Sequence, residues 1–255
     1  MILASRRRAV IRWTYAVIDR PTALVGPAKD FWTAVTGTHA SAPRGARGEL
    51  TTLRAEGAEG ADACLAVQAV GGAGGAHPDL AVRDVPGFTA RAARLGALVE
   101  AQQPGVTVLR SPGGQLFCVV PWRGQKVRPP VFGGPGGPGS RLDQLCLDVA
   151  PAVFDAEVAF WTALTGWDGT PGDHEEFHAL RPRSDLPVHL LLQRLDDAGP
   201  ASAHLDIACP DLDAGRAWHE RCGAELVREH PAWTVMRDPA GGVYCLTRRD
   251  PMTGR

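Results

Sequence analysis

The residues with the most recognisable catalytic spacing are His174 and His178, which form a His-Glu-x-x-His motif with Glu175. On a helix, residues four apart share one face and can bind zinc together, as in zinc proteases. The surrounding sequence instead predicts a loop and a strand, because Pro171 and Gly172 precede the motif and no helical apolar stripe continues it. On a strand the two imidazoles lie roughly 13 Å apart, too far to share a metal. We therefore interpret the motif as an exposed loop and strand edge.

Cysteine offers a second kind of metal or redox chemistry. The chain has six cysteines, and no two of them show the Cys-x-x-Cys spacing that is typical of zinc sites and redox pairs. Most lie in apolar runs, as Cys118 does beside Phe117 and Cys146 does beside Leu147. This pattern predicts buried, reduced thiols.

The segments that carry these residues occur twice in the chain. Phe31–Gly37 returns 129 positions later as Phe160–Gly166, with six of seven residues identical. Further matches lie 127 positions apart: His77-Pro78-Asp79 with His204-Leu205-Asp206, and Cys118 with Cys245. Because the register slips by only two positions over this length, the sequence predicts a duplicated structural unit.

A run of glycine and proline from Pro129 to Gly139 separates the two copies. Such a run forms neither helix nor strand, so it predicts a linker. We predict a first domain over 10–122, a linker over 123–140 and a second domain over 141–249. A length of 255 residues agrees with this division, because it exceeds the usual size of one compact core.

Each copy shows a short alternating strand, a helix and then several short strands. In the second copy the pattern predicts a strand over 142–149, a helix over 151–165 that Gly166 ends, and strands over 176–180 and 188–195. The pattern then restarts with a strand over 204–209, a helix over 212–222 that Gly223 ends, and strands near 225–228, 233–237 and 243–247. Each copy is therefore predicted to contain two βαβββ modules.

Three of these segments carry a resemblance to a known family. They are the helix motif Phe-Trp-x-Ala-x-x-Gly, the strand motif His-x-Asp-Ile/Leu-Ala, and the closing segment Asp238–Leu246. Together they resemble the glyoxalase / bleomycin-resistance / extradiol-dioxygenase superfamily, also called vicinal oxygen chelate proteins, and its glyoxalase-like branch. The resemblance covers both copies. It implies an α+β fold of two tandem domains, each a pair of βαβββ modules that form a curled, incomplete barrel with the helices outside and a concave pocket within.

The resemblance also implies where the pocket residues lie. Metal-dependent members of the superfamily place their ligands at inward positions of the first and last strands of the modules. Strand alternation assigns eight such positions here: Gln144, Gln193, His204 and Cys245 in the second copy, and Tyr15, Gln68, His77 and Cys118 in the first. At the last position those members carry glutamate, whereas both copies of this chain carry cysteine. A thiol replaces a carboxylate ligand only if its pKa is lowered, so we assign no metal ligand.

His204 is the candidate catalytic residue, as a base, a proton donor or a metal ligand, and the alternative is a polar side chain satisfied by a neighbouring strand. Cys245 is either a pocket residue or a small buried hydrophobe. A zinc site of Gln144, His204 and Cys245 is atypical, because zinc favours several thiolates or imidazoles. No cofactor is assigned, and a divalent metal is the alternative. The repeated Phe-Trp pairs are predicted to pack helix against sheet.

Composition narrows the classes of function. The formal net charge of -1 provides no field for nucleic acid or an anionic membrane, although Arg6, Arg7 and Arg8 form a short basic patch that we expect to be solvated and mobile. No apolar run reaches the ~18 residues of a membrane helix. Met1–Ala4 is too short for the core of a signal peptide, so a cytoplasmic location is expected.

The leading hypothesis is a small-molecule-binding protein of the glyoxalase-like type, which holds an apolar or aromatic compound without an obligatory metal. A drug-sequestering resistance protein is a subclass of this hypothesis. The alternative is an enzyme, a metal-assisted lyase, isomerase or dioxygenase in which His204 acts with Gln144 and Gln193. A third hypothesis is that the first half has become structural, because Pro78 follows His77 and a loose loop spans 71–75. The tandem copy predicts a monomer with internally paired domains, or a homodimer.

Overall fold

The computed structural model describes residues 11–58, 60–134, 137 and 139–254. The basic patch Arg6–Arg8, Met1–Ala4 and the first residue of the predicted first domain lie outside these residues. The first half contains β1 (Ile11–Pro21), α1 (Val25–Thr36), β2 (Thr38–Ala40), β3 (Leu50–Ala55), β4 (Leu65–Val70), β5 (Gly75–Val82), α2 (Val85–Arg94), β6 (Leu98–Gln103), β7 (Val106–Arg110) and β8 (Leu116–Pro121). The second half contains β9 (Arg141–Val149), α3 (Phe154–Thr165), β10 (Asp168–Pro171), β11 (Phe177–Arg181), β12 (His189–Arg194), β13 (Ser202–Ala208), α4 (Leu212–Arg221), β14 (Glu225–His230), β15 (Trp233–Arg237) and β16 (Val243–Thr247).

The strands form two sheets of eight strands each. The strand orders are β2-β3-β4-β1-β5-β8-β7-β6 and β10-β11-β12-β9-β13-β16-β15-β14. Each sheet is two βαβββ modules side by side, joined through the antiparallel pairs β1–β5 and β9–β13. The outer strands of a sheet do not pair with one another, so neither sheet closes. The predicted α+β fold of two tandem domains with incomplete barrels is confirmed.

The predicted elements of the second copy differ from the observed ones mainly near the first helix. The chain over Pro151–Val153 forms a 3-10 turn, and α3 begins only at Phe154. Gly166 ends α3 at a φ of +68°, in the left-handed region that glycine adopts without strain. The sequence reading missed β10, whose Asp-Gly-Thr-Pro sequence has little strand propensity and is held as an edge strand by pairing with β11.

The His-Glu-x-x-His motif is not helical, as predicted. His174 lies in the loop before β11, and His178 lies on β11 opposite Leu192. His174 contacts the ring of Trp233 instead, with the ring centroids 5.5 Å apart. The zinc-protease interpretation is therefore excluded by geometry.

The two halves share one hydrophobic core. Trp32 on α1 packs against Tyr244 on β16 of the other half, with ring centroids 5.1 Å apart. Trp161 on α3 packs in the same way against Phe117 on β8, at 5.0 Å. The predicted helix-to-sheet packing of the Phe-Trp pairs is thus observed, and these contacts reach the sheet of the opposite half.

Two buried carboxyl groups tie the helix tryptophans to the opposite half. Asp238 accepts hydrogen bonds from Arg20 at 2.6 Å and from the indole of Trp32 at 3.0 Å. Glu157 accepts from the hydroxyl of Ser111 at 2.7 Å and from the indole of Trp161 at 2.9 Å. Asp238 lies in a turn, whereas Glu157 lies on a helix. The two copies therefore bind the indole of the helix tryptophan with acids from different elements.

The helices and the candidate site residues lie on opposite faces of the sheets. Phe117 and Tyr244 contact the helices, and their neighbours Cys118 and Cys245 point to the other face by strand alternation. All six cysteines are free thiols, and five of them are buried. Within the described part of the chain, no helix is long and apolar enough to cross a membrane.

Candidate functional site

The candidate residues of the second half meet on the face away from the helices, on four adjacent strands. Asp206 on β13 stands opposite Gln144 on β9 and opposite Cys245 on β16. Gln193 on β12 stands opposite Asp148 on β9. Residues directly opposite on neighbouring strands share a face, so the structure brings the four predicted positions together with two aspartates that were not predicted.

His204 lies between these two aspartates. Its Nδ1 is 3.1 Å from Asp148 and its Nε2 is 3.5 Å from Oδ1 of Asp206. Ser202 also donates a hydrogen bond to Asp148, at 2.9 Å. Asp148 therefore fixes the orientation of the imidazole, and Asp206 faces its other nitrogen.

The first half repeats this arrangement. Nδ1 of His77 is 2.6 Å from Asp19, and its Nε2 is 3.3 Å from Oδ1 of Asp79. Asp79 stands opposite Tyr15 on β1 and opposite Cys118 on β8. Gln68 stands opposite Asp19. The Asp-His-Asp group is therefore a duplicated feature of the fold.

Burial and neighbouring acids have opposite effects on the pKa values of these two histidines. Burial lowers the pKa of His204, but the charge of Asp148 and its hydrogen bond to the imidazole outweigh this effect, so the pKa of His204 lies well above its ordinary value. Burial likewise opposes protonation of His77, and the hydrogen bond to Asp19 and the nearby carboxyl group of Asp79 hold the pKa of His77 well above its ordinary value. Two carboxyl groups beside each imidazole thus favour its protonated form.

Burial also changes the pKa values of the other ionisable groups of the site. Burial raises the pKa of Asp206 to about 6, the pKa of Cys118 to about 11 and the pKa of Tyr15 to about 12. Burial also raises the pKa of Cys146 and of Cys245. Without a metal, the thiols are neutral at pH 7.

The two copies differ in one thiol. Cys146 on β9 stands opposite His204, whereas the residue opposite His77 is Val17. The thiol of Cys146 also contacts the amide oxygen of Gln193 at 3.8 Å. The second half thus has two thiols near its histidine, and the first half has only Cys118 in the equivalent surroundings.

Three side chains in each half are close enough to hold one metal ion. Ligand atoms of Cys146, His204 and Asp206 all lie within 4.8 Å of one another, and so do those of His77, Asp79 and Cys118. Oδ1 of Asp206 and Oδ1 of Asp79 are buried and have no hydrogen-bond partner among the described residues. One nitrogen, one oxygen and one sulfur donor fit a zinc-type ion, and they do not fit an ion that prefers oxygen ligands, such as Mn²⁺ or Mg²⁺.

A cavity of about 290 Å³ lies between the two halves and reaches the second site. Its lining includes Asp148, Ser202 and His204 from the second half, and Arg20 and Trp32 from the first. Of the eight residues that the sequence assigned to the pocket, His204 is the one that lines this cavity.

Glycines make room for the cavity walls. A Cβ at Gly74 would lie 2.5 Å from the carbonyl oxygen of Asp19, and a Cβ at Gly242 would lie 1.5 Å from the guanidinium of Arg20. Gly74 also has a φ of +90°, which disfavours other residues. Both glycines are therefore required where the chain passes close to its neighbours.

Sequence reasoning missed Asp19, Asp148, Asp79, Asp206 and Cys146 as site residues. A signal for four of them was present, because both copies have a His-x-Asp motif and a strand that ends in aspartate. Residues i and i+2 of a strand share a face, so His204 placed inward also places Asp206 inward. The cavity itself had no local signal, because it is formed by the packing of the two halves.

These features define a tandem βαβββ protein with a buried Asp-His-Asp group in each half. A family described as the glyoxalase-like domain matches the chain twice, over residues 15–120 and 144–247. The chain belongs to this glyoxalase-like domain family. No curated protein sequence matches it.

Solved structures with the same fold include glyoxalases and extradiol dioxygenases of the vicinal oxygen chelate superfamily. The Mn(II)-bound glyoxalase from Novosphingobium aromaticivorans is 18% identical and has a TM-score of 0.67, over 97% of this chain and 86% of that one. An extradiol ring-cleaving dioxygenase from B. fuscum is 16% identical with a TM-score of 0.63, over 97% and 74%. BphC, a halotolerant catechol dioxygenase, is 14% identical with a TM-score of 0.58, over 93% and 87%. At these identities the likeness establishes the fold alone.

Proposed function

We propose that this protein binds a small aromatic or otherwise largely apolar molecule beside His204, without an obligatory metal. The observation that carries the proposal is the cavity between the halves, which opens onto Asp148, Ser202 and His204. A concave site with a few converging polar groups and ionisable residues of shifted pKa is the usual form of a small-molecule site.

The chemistry of the cavity wall indicates the class of ligand. The lining includes the apolar residues Trp32, Leu205 and Val243 and the polar residues Asp148, Ser202 and His204. A volume of about 290 Å³ suits a compound with one ring more than a larger one. A ring with one or two hydroxyl groups would pack on the apolar wall and exchange hydrogen bonds with the polar groups.

Catechol is a suitable first probe, because two proteins of similar fold are named as an extradiol ring-cleaving dioxygenase and a catechol dioxygenase. Calorimetric titration in EDTA, with oxygen removed, should give saturable binding at one site. Quenching of tryptophan fluorescence should accompany it, since Trp32 lines the cavity. We expect His204→Ala to weaken binding at least tenfold, because it removes the central polar group of the cavity.

The matched control is His77→Ala, which removes the equivalent histidine of the first half and should leave the affinity unchanged. Equal losses in the two variants would contradict a site at His204. No saturable binding across a panel of phenols and catechols would refute the proposal.

A metal-assisted enzyme is the second candidate, and the placement of Cys146, His204 and Asp206 favours it. These residues would hold a zinc-type ion, which supplies a Lewis acid that polarises an oxygen of the substrate. Asp148 would orient His204 through Nδ1, the usual role of a carboxylate behind a metal-bound histidine. His204→Ala would then abolish turnover while the fold is kept.

Metal content separates the two candidates. The leading proposal expects substoichiometric metal in protein purified without chelators, and catechol binding that survives EDTA. Stoichiometric zinc that is lost in Cys146→Ser and kept in Cys222→Ser would instead support the second candidate. Sequestration of a toxic aromatic drug is the leading proposal with a particular ligand, and the same binding assay tests it.

A further inference from the structure

A group of four arginines lies near the start of β9, whereas the cavity beside His204 reaches Asp148 near the end of that strand. The arginine cluster consists of Arg128, Arg141, Arg181 and Arg249, whose charges all act on the buried Asp143. Arg141 precedes Asp148 by seven residues on the strand, which corresponds to a separation of roughly 23 Å. The cluster is therefore separate from the cavity that reaches His204.

Among the described residues, two arginines of the cluster form ion pairs with nearby carboxylates. Arg249 donates to Asp143 at 2.8 Å, and Arg128 donates to Asp185 at 2.6 Å. Arg141 donates only to the carbonyl oxygens of Pro129 and Met252, and within the described residues it forms no ion pair. With Arg181 left aside, two of the three other guanidinium groups form ion pairs with carboxylates in the described part of the chain.

Several donors of the cluster have no acceptor. Nε and Nη2 of Arg128 and Nε of Arg141 are buried atoms without a hydrogen-bond partner in the described part of the chain. Arginine is always protonated, so each of these atoms carries an N–H group whose burial without a partner costs free energy. Burial and the charge of Arg128 also lower the pKa of Arg141, although Asp143 and Asp185 oppose this shift.

The neighbouring histidine adds no negative charge. His189 stands opposite Gln144 on the same sheet, and its Nδ1 is also buried without a partner. Burial, together with Arg181 and Arg128, lowers its pKa to about 4, so the ring is neutral at pH 7.

Backbone carbonyls from 250–254 occupy part of the cluster. The carbonyl of Met252 accepts from Arg141 at 3.0 Å, and the carbonyl of Gly254 accepts from Arg181 at 3.1 Å. Gly254 packs so closely against Asp143 that a Cβ at this position would lie 2.8 Å from its Oδ2. These carbonyl oxygens stand where the oxygens of an anion would be held.

We propose that the arginine cluster is a second binding site, for the oxyanion of a small molecule, either a carboxylate or a phosphate group. Arg128 and Arg141 are its main donors, because planar guanidinium groups bind such oxygens through paired N–H bonds. The ligand replaces the carbonyl of Met252 as an acceptor and also accepts from the N–H groups of Arg128 and Arg141 that have no partner among the described residues.

Titration calorimetry of the full chain tests the proposal, with inorganic phosphate and acetate as probes. Sodium chloride should hold the ionic strength constant, since weak charge effects are screened by salt. We expect saturable binding at one site, and the tighter of the two probes identifies the oxyanion. Arg128→Gln and Arg141→Gln should each weaken binding at least tenfold.

The matched control is Arg183→Gln, which removes an exposed arginine that pairs with Asp168 and supplies none of the N–H donors assigned to the ligand. Its affinity should equal that of the unmodified protein. If Arg141→Gln does not fold by circular dichroism, Arg141→Lys keeps the charge and loses the paired geometry, and should still weaken binding. Binding that does not saturate, or that Arg183→Gln weakens equally, would overturn the proposal. His204→Ala should leave phosphate binding unchanged, so this result is independent of catechol binding.

Discussion

The histidines of this protein have different pKa values because their neighbouring residues differ. His204 lies between two aspartates, and its pKa lies well above the ordinary value although burial opposes this. His219 on α4 is fully buried, and its Nδ1 faces the hydroxyl of Tyr244 at 2.8 Å. Burial then lowers the pKa of His219 to about 4. The first histidine can supply a proton at neutral pH, and the second is a neutral core residue.

The low pKa of His219 predicts a dependence of stability on pH. The unfolded chain takes up this proton near pH 6.5, whereas the folded protein takes it up only near pH 4. Stability therefore falls as the pH falls from 6.5 towards 4, by about 1.4 kcal/mol per unit for this group. Between pH 7 and pH 5 this amounts to roughly 2 kcal/mol, which urea denaturation can measure.

The variant His219→Gln isolates this contribution from those of other groups. It should be less stable than the unmodified protein at pH 7, because it disturbs a packed core. Its loss of stability between pH 7 and pH 5 should be smaller by roughly 2 kcal/mol. Identical pH slopes in the two proteins would show that folding does not lower the pKa of His219.

At the scale of single elements, α3 is fixed to the opposite half through one acidic side chain. Glu157 is buried and accepts from Ser111, from the backbone N–H of Gly113 and from Trp161. The same helix exposes Asp155, which lies two residues earlier in its first turn. The helix thus carries a buried and an exposed acid in nearly the same position along its axis.

Replacing these two acids should have unequal effects. Glu157→Ala leaves three donors without an acceptor, and we expect it to lower the free energy of unfolding by about 3 kcal/mol or more. Asp155→Ala removes a favourable charge at the helix N-terminus and should cost at most about 1 kcal/mol. Urea denaturation compares them, and similar losses would contradict the proposed fixing of α3 by Glu157.

At the scale of the whole molecule, the two halves depend on each other. Trp32 packs on Tyr244, Trp161 packs on Phe117, and the buried pair of Arg20 and Asp238 crosses between the halves. Separating the halves would expose these large apolar groups and leave Asp238 without its cation. The cavity beside His204 would also lose Arg20 and Trp32 from its wall.

Fragments 1–134 and 135–255 should therefore be much less stable alone than when combined. We expect weak near-ultraviolet circular dichroism and no sharp urea transition from either fragment, because the packing of the tryptophans is lost. Mixing the fragments in equal amounts should restore both signals by association. If each fragment unfolds cooperatively with the stability of the intact chain, the shared core is not needed for folding.

The sequence by itself determined the duplication and most of the elements. Alternation of apolar residues, the glycines that end the helices, and the repeated Phe-Trp motif are local properties, so they identify β9, α3 and their equivalents without tertiary information. The His-x-Asp repeat is equally local. Residues two apart on a strand share a face, so the inward placement of His77 and His204 also places Asp79 and Asp206 inward. Weak edge strands such as β10 were missed because pairing, not propensity, forms them.

Only the tertiary structure decided which side chains meet across the chain. Cys146 faces His204 because β9 and β13 pair in one register, and a shift of that register by one residue would turn the thiol away. The cavity beside His204 and the arginine cluster both draw residues from distant segments, as Arg20 and Arg128 show. Such sites depend on the packing of two sheets that share one core, and no local pattern in the sequence specifies that packing.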